Sequence, residues 1–411
     1  MNYLYPFLMF CNILVLNPGI TQGAWQSVGP GDIPIYSFAV KDSFLFAGGI
    51  LGFGGISRTA DYGENWTPVN DGLPPNPHFV LSMISTDTAV YIGIGYQLWA
   101  TKDLGNDWDF VNTQVTPQYS NVLGYAGEPW NVMYAGGGTQ AAIPAVMISP
   151  DGANWSLLNN GLPTLGGVYT MMAHDSSLYA GTYRGVFRYD YNSSSWKQSN
   201  TGLSFYEVFS LAKNENYFFA GTRYHGVFRS IDGESWTRIN TGLDTMQSPF
   251  NAFAFYGSEI YVAASGNHGG VYKSSDQGDH WIANNDGLPE DVDVYNLIIQ
   301  PPYLLAGTEE HGVYRLDSLI SATTSYSDVV SLVVKPNPNI GEFSVQLDLP
   351  HPINLILTLT DLVGQPVFSS AFESSAGVLD IPLHVEKLTA GIYFLRVSGK
   401  GIDVVEKVII Q

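Results

Sequence analysis

Between residues 24 and 319 apolar and polar positions alternate over short runs bounded by Gly, Asn and Pro, and nowhere is there a helical period. The runs recur in a fixed order. A leading strand precedes a small-residue strand, seen as LFAGG at Leu45, YIGIG at Tyr91, MYAGG at Met133, LYAGT at Leu178, FFAGT at Phe218, YVAAS at Tyr261 and LLAGT at Leu304. A third run follows, as in GVFRY at Gly185, GVFRS at Gly226, GVYKS at Gly270 and GVYRL at Gly312. A Gly-containing turn then leads to a strand begun by Trp, and the unit closes on Asn-Thr-Gly-Leu or Asn-Asp-Gly-Leu-Pro. The pattern predicts four short strands per unit.

Trp25, Trp66, Trp108, Trp155, Trp196, Trp236 and Trp281 recur 40 to 47 residues apart, a period that marks units which bury their apolar faces only by stacking on neighbours. The last unit stops near Leu316 without a Trp, whereas Trp25-Gln26-Ser27-Val28 resembles Trp66-Thr67-Pro68-Val69 and has no strands before it. One end supplies what the other lacks. The expectation is an all-β chain with a seven-bladed β-propeller over 24–319, closed by its N-terminal strand so that only short protected edges remain. Six or eight blades would leave a strand unmatched.

Five of the tryptophans end a Ser/Thr-x-Asp run with Gly one or two residues on, at Asp61, Asp103, Asp151, Asp232 and Asp276. An aspartate accepts backbone N–H bonds across a tight turn, and Gly takes positive φ there without a steric cost. These segments resemble the Asp-box (BNR, bacterial neuraminidase-type) repeat of sialidases, sortilin-like receptors and xyloglucan-degrading enzymes. The resemblance implies that the aspartates are structural corners remote from any binding face. The copy at Tyr189–Trp196 has lost both Asp and Gly and keeps only Trp.

Residues 320–331 are small and polar and suit a linker. Alternating runs separated by Gly and Pro follow and predict a small Ig-like antiparallel sandwich over 332–411. Pro336-Asn337-Pro338 with Gly341 and Phe343, Asp361 with Gly364 and Val367, Gly391-Ile392-Tyr393 and Lys407 together resemble the type IX secretion C-terminal sorting domain of the Bacteroidetes. Lys335 stands where that motif usually has an aromatic. The resemblance implies passage across both membranes, with the type IX machinery as partner of residues 332–411, and release or attachment at the outer-membrane surface.

Residues 1–23 carry an apolar run from Leu4 to Leu16 with small residues near Gly23, which suits a secretory signal peptide despite the lack of a basic start. The run is short for a membrane span, and no later segment is longer, so no transmembrane anchor is expected. The only cysteine, Cys11, falls inside it, so the mature protein would hold no thiol or disulfide. Lys and Arg total 17 against 37 Asp and Glu, a formal charge of −20 that repels phosphate backbones and argues against nucleic acid.

Candidate chemistry sits on loops between second and third strands and on the links between units. Tyr183, Arg184, Arg223 and Tyr224 offer stacking faces and donors for hydroxyls or carboxylates. His225, His268 and His311 each lie near a Gly at matching places in consecutive units, beside Glu309. Three converging imidazoles could hold a metal, but spacing alone does not bring them together, so no metal and no cofactor is expected. Of eight arginines, seven of them before residue 320, Arg188, Arg229 and Arg315 share one strand position, leaving Arg58, Arg184, Arg223 and Arg238, which match no sialidase arginine triad. Asp71 and Asp286 read as turn residues because Asn160, Thr201 and Thr241 occupy the same place. Glu207, Asp244, Glu290, Asp291 and Asp293 remain acids without a pairing argument. The reading is a secreted or surface-held propeller that binds an extracellular glycan or protein. The alternative is a polysaccharide-active glycoside hydrolase, sialidase- or xyloglucanase-like, with two carboxyls facing across a cleft. The repeat also occurs in photosystem-assembly propellers, which implies an assembly role as a third reading.

Overall fold

A computed structural model describes residues 23–316 and 332–411, except 76–77, 95–96, 112–121, 127–131, 138–144, 164–165, 176, 204–205, 244–247, 350–353, 362–364, 374–376, 386–387 and 400–401. Residues 1–22 of the expected signal peptide, the linker at 320–331, Asp244 and Gly364 lie outside the described residues. Every regular element described is a strand. Residues 25–316 build seven four-stranded antiparallel sheets, whose leading strands are Ser37–Lys41, Val80–Ser85, Val122–Ala126, Val168–His174, Val208–Lys213, Phe250–Tyr256 and Val294–Gln300. They are numbered here first to seventh in that order. In six of them the strands run consecutively. The seventh takes its fourth strand from the other end of the chain, with Trp25–Gly29 antiparallel to Val313–Leu316 and Trp25 opposite Leu316. The leading strands pack on one another in succession, and that of the seventh sheet packs on that of the first.

The tryptophans stitch neighbouring sheets together. Each indole N–H of Trp66, Trp108, Trp196, Trp236 and Trp281 donates to a backbone carbonyl at or beside the last strand of the preceding sheet, namely Val28, Val69, Leu158, Ser199 and Ile239, at 2.6–2.9 Å. Trp25 does the same to Asn284 at 2.7 Å. Trp155 departs from the series and donates to Gly152 of its own turn. An indole removes roughly 150–250 Å² from water, roughly 4–6 kcal/mol of transfer free energy each by area. The N–H donation keeps that burial from stranding a polar group.

The Asn-x-Gly-Leu segment that ends five of the seven units docks on the next tryptophan. The Thr241 carbonyl accepts the Trp281 backbone N–H at 2.8 Å, and Asp286 accepts that of Trp25 at 2.7 Å. Asp71 likewise accepts from Trp108, so Asp71 and Asp286 are turn residues as expected. The asparagine Oδ1 of Asn70, Asn159, Asn200, Asn240 and Asn285 caps the first N–H of the third strand at 2.6–2.8 Å. Gly242 sits at φ +91°, and a Cβ there would lie 1.9 Å from the Trp281 carbonyl oxygen.

The five Ser/Thr-x-Asp turns share one hydrogen-bond scheme. In the fifth sheet Ser230 Oγ donates to Asp232 Oδ1 at 2.9 Å, the Gly233 N–H reaches Ser230 Oγ, and the Glu234 and Ser235 N–H groups converge on the same carboxylate oxygen at 2.8 Å. The Ser235 and Glu234 amides hold the Asp232 carboxyl down at about 2. These aspartates are therefore occupied by their own turns.

Five side chains at one third-strand position complete the seam. Arg188 pairs with Glu234 at 2.7 Å, Arg229 with Asp279 at 3.0 Å and Arg315 with Glu64 at 2.8 Å, each reaching the Asp turn of the following sheet and lying over an aromatic ring of its own sheet. Arg58, expected among the free arginines, belongs to this set, because it donates to the Leu104 carbonyl and Asn106 and covers Phe44. Lys273 takes the place in the sixth sheet and pairs within it to Glu259 at 2.6 Å.

In the C-terminal part, a three-stranded sheet (Leu332–Lys335, Glu342–Leu349, Gly377–His384) faces a four-stranded one (Pro366–Glu373, Asn354–Thr360, Gly391–Gly399, Ile402–Ile410). They enclose Phe343, Val345, Leu355, Leu357, Leu395, Val397 and Val408, consistent with the expected Ig-like sandwich. Gly242→Ala should destabilise by at least about 2 kcal/mol more than Gly31→Ala. Gly31 also has positive φ, at +104°, but nothing lies within 4 Å of its Cβ position. Thermal denaturation of the two variants separates the clash from the backbone strain.

Candidate functional site

The loops between second and third strands open at the end of the sheets opposite the Asp turns. There, in the fourth to seventh sheets, the residue after the second strand donates its backbone N–H to the residue before the leading strand. Arg223 donates to Glu207 at 3.0 Å, Glu309 to Asp293 at 3.1 Å, Ser265 to Pro249 at 3.1 Å and Tyr183 to Gly167 at 3.3 Å. At this same end the leading strands carry a β-bulge, between Val80 and Ser82, Val168 and Thr170, Val208 and Ser210, Phe250 and Ala252, and Val294 and Asn296. Bulges re-aim the extra residue. Here the extra residues are Leu81, Tyr169, Phe209, Asn251 and Tyr295. Tyr169 and Phe209 stack with centroids 4.8 Å apart and planes 2° from parallel, while Tyr295 meets Tyr36 edge-on at 5.2 Å.

Tyr183, Arg184, Arg223, Tyr224 and His225, five of the eight candidates, line one cleft of about 480 Å³ between the fourth and fifth sheets. Tyr206 and Glu207 complete its wall. Glu207 pairs with Arg223 at 3.0 Å, and its hydrogen bond is the main reason that the guanidinium is held above its ordinary value. Arg223 also lies 5.0 Å from the centre of the Tyr224 ring and 5.9 Å from that of Phe209, so the charge is clamped between a carboxylate and two π faces. Tyr206 stacks on the His225 imidazole with centroids 3.6 Å apart. Burial, then the Arg238 charge, pushes His225 below its usual value and favours the neutral ring. Tyr183 and Tyr224 are 43% and 48% exposed, leaving their faces open to a ligand.

The other three candidates stand elsewhere. His311 donates its N–H to Thr308 Oγ1 at 3.1 Å, matching His225 on Thr222 at 3.2 Å, so these two do occupy equivalent turn positions. His268 uses its carbonyl to accept Tyr272 Oη. Among the described residues no three His, Cys, Asp or Glu gather closely enough to hold a metal, so the imidazoles do not converge. Glu309 meets a carboxylate where Arg223 meets Glu207. It accepts Tyr295 Oη at 3.3 Å and is in hydrogen-bonding contact with Asp293, which also accepts the Gly266 N–H. Burial, then the hydrogen bond and negative charge of Asp293, lifts Glu309 above the ordinary glutamate range.

Tyr206 and the bulge aromatics escaped the sequence reading. The signal of the bulge aromatics was the recurring apolar-aromatic-small triplet at the start of the leading strands, Val168-Tyr169-Thr170 and Val208-Phe209-Ser210.

Comparison with known proteins separates the two parts of the chain. Residues 333–411 match the secretion system C-terminal sorting domain. That tail is of the type IX class and indicates a secreted or outer-membrane-associated protein that engages the secretion machinery. No helix among the described residues is long and apolar enough to cross a membrane. No curated protein matches the chain. Among solved structures, YCF48 bound to D1 peptide is similar at 15% identity over 73% of this chain and 99% of that one, with a TM-score of 0.56. The extracellular domain of a protein described as a one-component system from B. thetaiotaomicron is 15% identical, covers 92% of this chain and 52% of its own, and has a TM-score of 0.60. The WD40 β-propeller domain of Doa1 is 11% identical over 72% and 97% of the two chains, with a TM-score of 0.55. These likenesses establish a β-propeller fold.

One pH dependence follows from the acid pair. Because Glu309 binds its proton more tightly folded than unfolded, its contribution to stability is present below the unfolded glutamate value and is lost as pH rises through the folded one. Glu309→Gln is expected to raise the melting temperature near neutral pH, with the gain vanishing by about pH 4. Melting curves across that range read it directly.

Proposed function

We propose that residues 24–319 form a closed seven-bladed Asp-box propeller, exported by its tail, that binds an extracellular glycan or protein at the cleft between the fourth and fifth blades without transforming it. The observation that carries this reading is the convergence of Tyr183, Arg184, Tyr206, Glu207, Arg223, Tyr224 and His225 on one concave surface. Support for the closed ring comes from three contacts between its ends: Trp25–Gly29 on Val313–Leu316, Trp66 on Val28, and Arg315 on Glu64. Support for the Asp-box comes from the common hydrogen-bond scheme of its five turns.

Exposed tyrosine faces beside a fixed guanidinium suit stacking and hydroxyl or carboxylate recognition. The hydrolase reading is weaker. It needs two carboxyls separated across a cleft. Glu207 is engaged by Arg223, and Asp293 and Glu309 lie against each other.

Secreted protein tested on polysaccharide, sialoside and extracellular-protein arrays should be retained by some member without releasing products. Tyr224→Ala and Arg184→Ala, both at exposed positions, should weaken that retention about tenfold with little change in melting. Released oligosaccharides, or retention indifferent to both changes, would refute the reading. Removing 333–411 should trap the propeller inside the outer membrane, as read by cell fractionation, whereas undiminished release would refute tail-directed export.

A further inference from the structure

One unit breaks the turn pattern, and a second cleft stands there. In the fourth sheet Tyr191 occupies the place of the turn aspartate and Ser193 that of the glycine. The turn survives by other means. Asp190 accepts the Asn192 N–H at 3.0 Å and Ser193 Oγ at 2.8 Å, and pairs with Lys197. Ser194 adopts φ +48°, a strained value for a residue with a Cβ. Positive φ at a residue with a Cβ also occurs in three regular turns, at Tyr62, Leu104 and Gln277, so what sets this turn apart is the loss of its aspartate and glycine. Departures from a local rule concentrate at functional positions.

The departure creates a surface. Tyr189, buried, meets Trp196 and Tyr191 edge-on at 5.4 and 4.7 Å, and Tyr191 remains 37% exposed. Tyr189 and Tyr191, together with Asn192, Gln198 and Ser199, line a cleft of about 480 Å³. A neighbouring cleft of about 400 Å³ shares Ser177 and Arg188 with it and runs to the exposed Ile231. In the Tyr191 cleft the charges are paired in place, Asp190 with Lys197 and Arg188 with Glu234, whereas the neighbouring cleft also carries Lys213, Glu215 and Asp232. No charge in that cleft waits for a counter-ion, while Asn192, Gln198 and the Tyr191 ring are exposed.

We propose that this groove, at the opposite end of the same two sheets from the Arg223 cleft, is a separate binding site for a neutral polysaccharide. Paired charges disfavour an ionic ligand, which would have to break them. A planar phenol with flanking amides suits a sugar ring and its hydroxyls. The two adjoining clefts fit several residues of an extended chain rather than one.

Affinity gel electrophoresis of the secreted protein through neutral β-glucans, galactans and xyloglucan, with polygalacturonate as the charged comparison, tests this. At least one neutral gel should retard the protein and polygalacturonate should not. Tyr191→Ala should weaken the retardation about tenfold. Tyr191→Asp, which reinstates the turn carboxylate used elsewhere, should weaken it as much without lowering the melting temperature. Tyr224→Ala should leave it unchanged. No retardation in any neutral gel, or retardation untouched by both Tyr191 variants, overturns the proposal. If Tyr224→Ala alone abolishes binding, this second site falls and the Arg223 cleft stands.

Discussion

The seam between one sheet and the next is the contact on which everything else rests. A four-stranded sheet of such short strands cannot bury its own faces, so each must be completed by a neighbour. The sequence solves this with one large side chain per unit. The indole fills the interface, and its single N–H is aimed at a carbonyl of the preceding sheet. The surrounding features serve that placement. Asn-x-Gly-Leu brings the chain across to the next Trp, the Asp turn holds the approach to it, and Arg188, Arg229 and Arg315 tie third strands to the following turn.

A scaffold so repetitive leaves recognition to its exceptions. At the end away from the Asp turns, equivalent positions hold Tyr183, Arg223, Ser265 and Glu309, joined to the leading strands by the same backbone bond. The bond is constant and the side chain is free to vary. Consequently one position gives a guanidinium paired to Glu207 in the fifth sheet and a carboxyl pressed against Asp293 in the seventh. The degenerate turn at Tyr191 is the counterpart at the other end.

Much of the fold was legible because its determinants are local and repeated. The tryptophan period, the Asp-Gly turns and the small-residue strands each announce one unit, and the likeness to solved propellers agrees with the fold they imply. The tail was legible because its motifs occur together in order. Site residues were read less completely. Tyr183, Arg184, Arg223, Tyr224 and His225 could be collected because they lie in two aligned loops of adjacent units. Tyr169 and Phe209 were missed because a bulge, invisible in a strand pattern, turns its residue out of the ladder, and Tyr206 because it lies in the link before the leading strand. Arg58 was misplaced since Ile56-Ser57-Arg58-Thr59 lacks the Gly-Val-Phe spelling of its counterparts, although it holds the same register.

The pairing of Trp25 with Leu316 also has a kinetic meaning. Six sheets assemble from consecutive strands, but the seventh waits for a partner made at the opposite end of the chain. Loop-closure entropy rises only slowly with length, so the equilibrium cost is modest, whereas such distant contacts slow folding. A chain synthesised N-terminus first therefore carries an unmatched edge at Trp25–Gly29 until residue 316 emerges. A chain stopped short of residue 316 leaves that edge exposed, a template on which other strands can pair and aggregate.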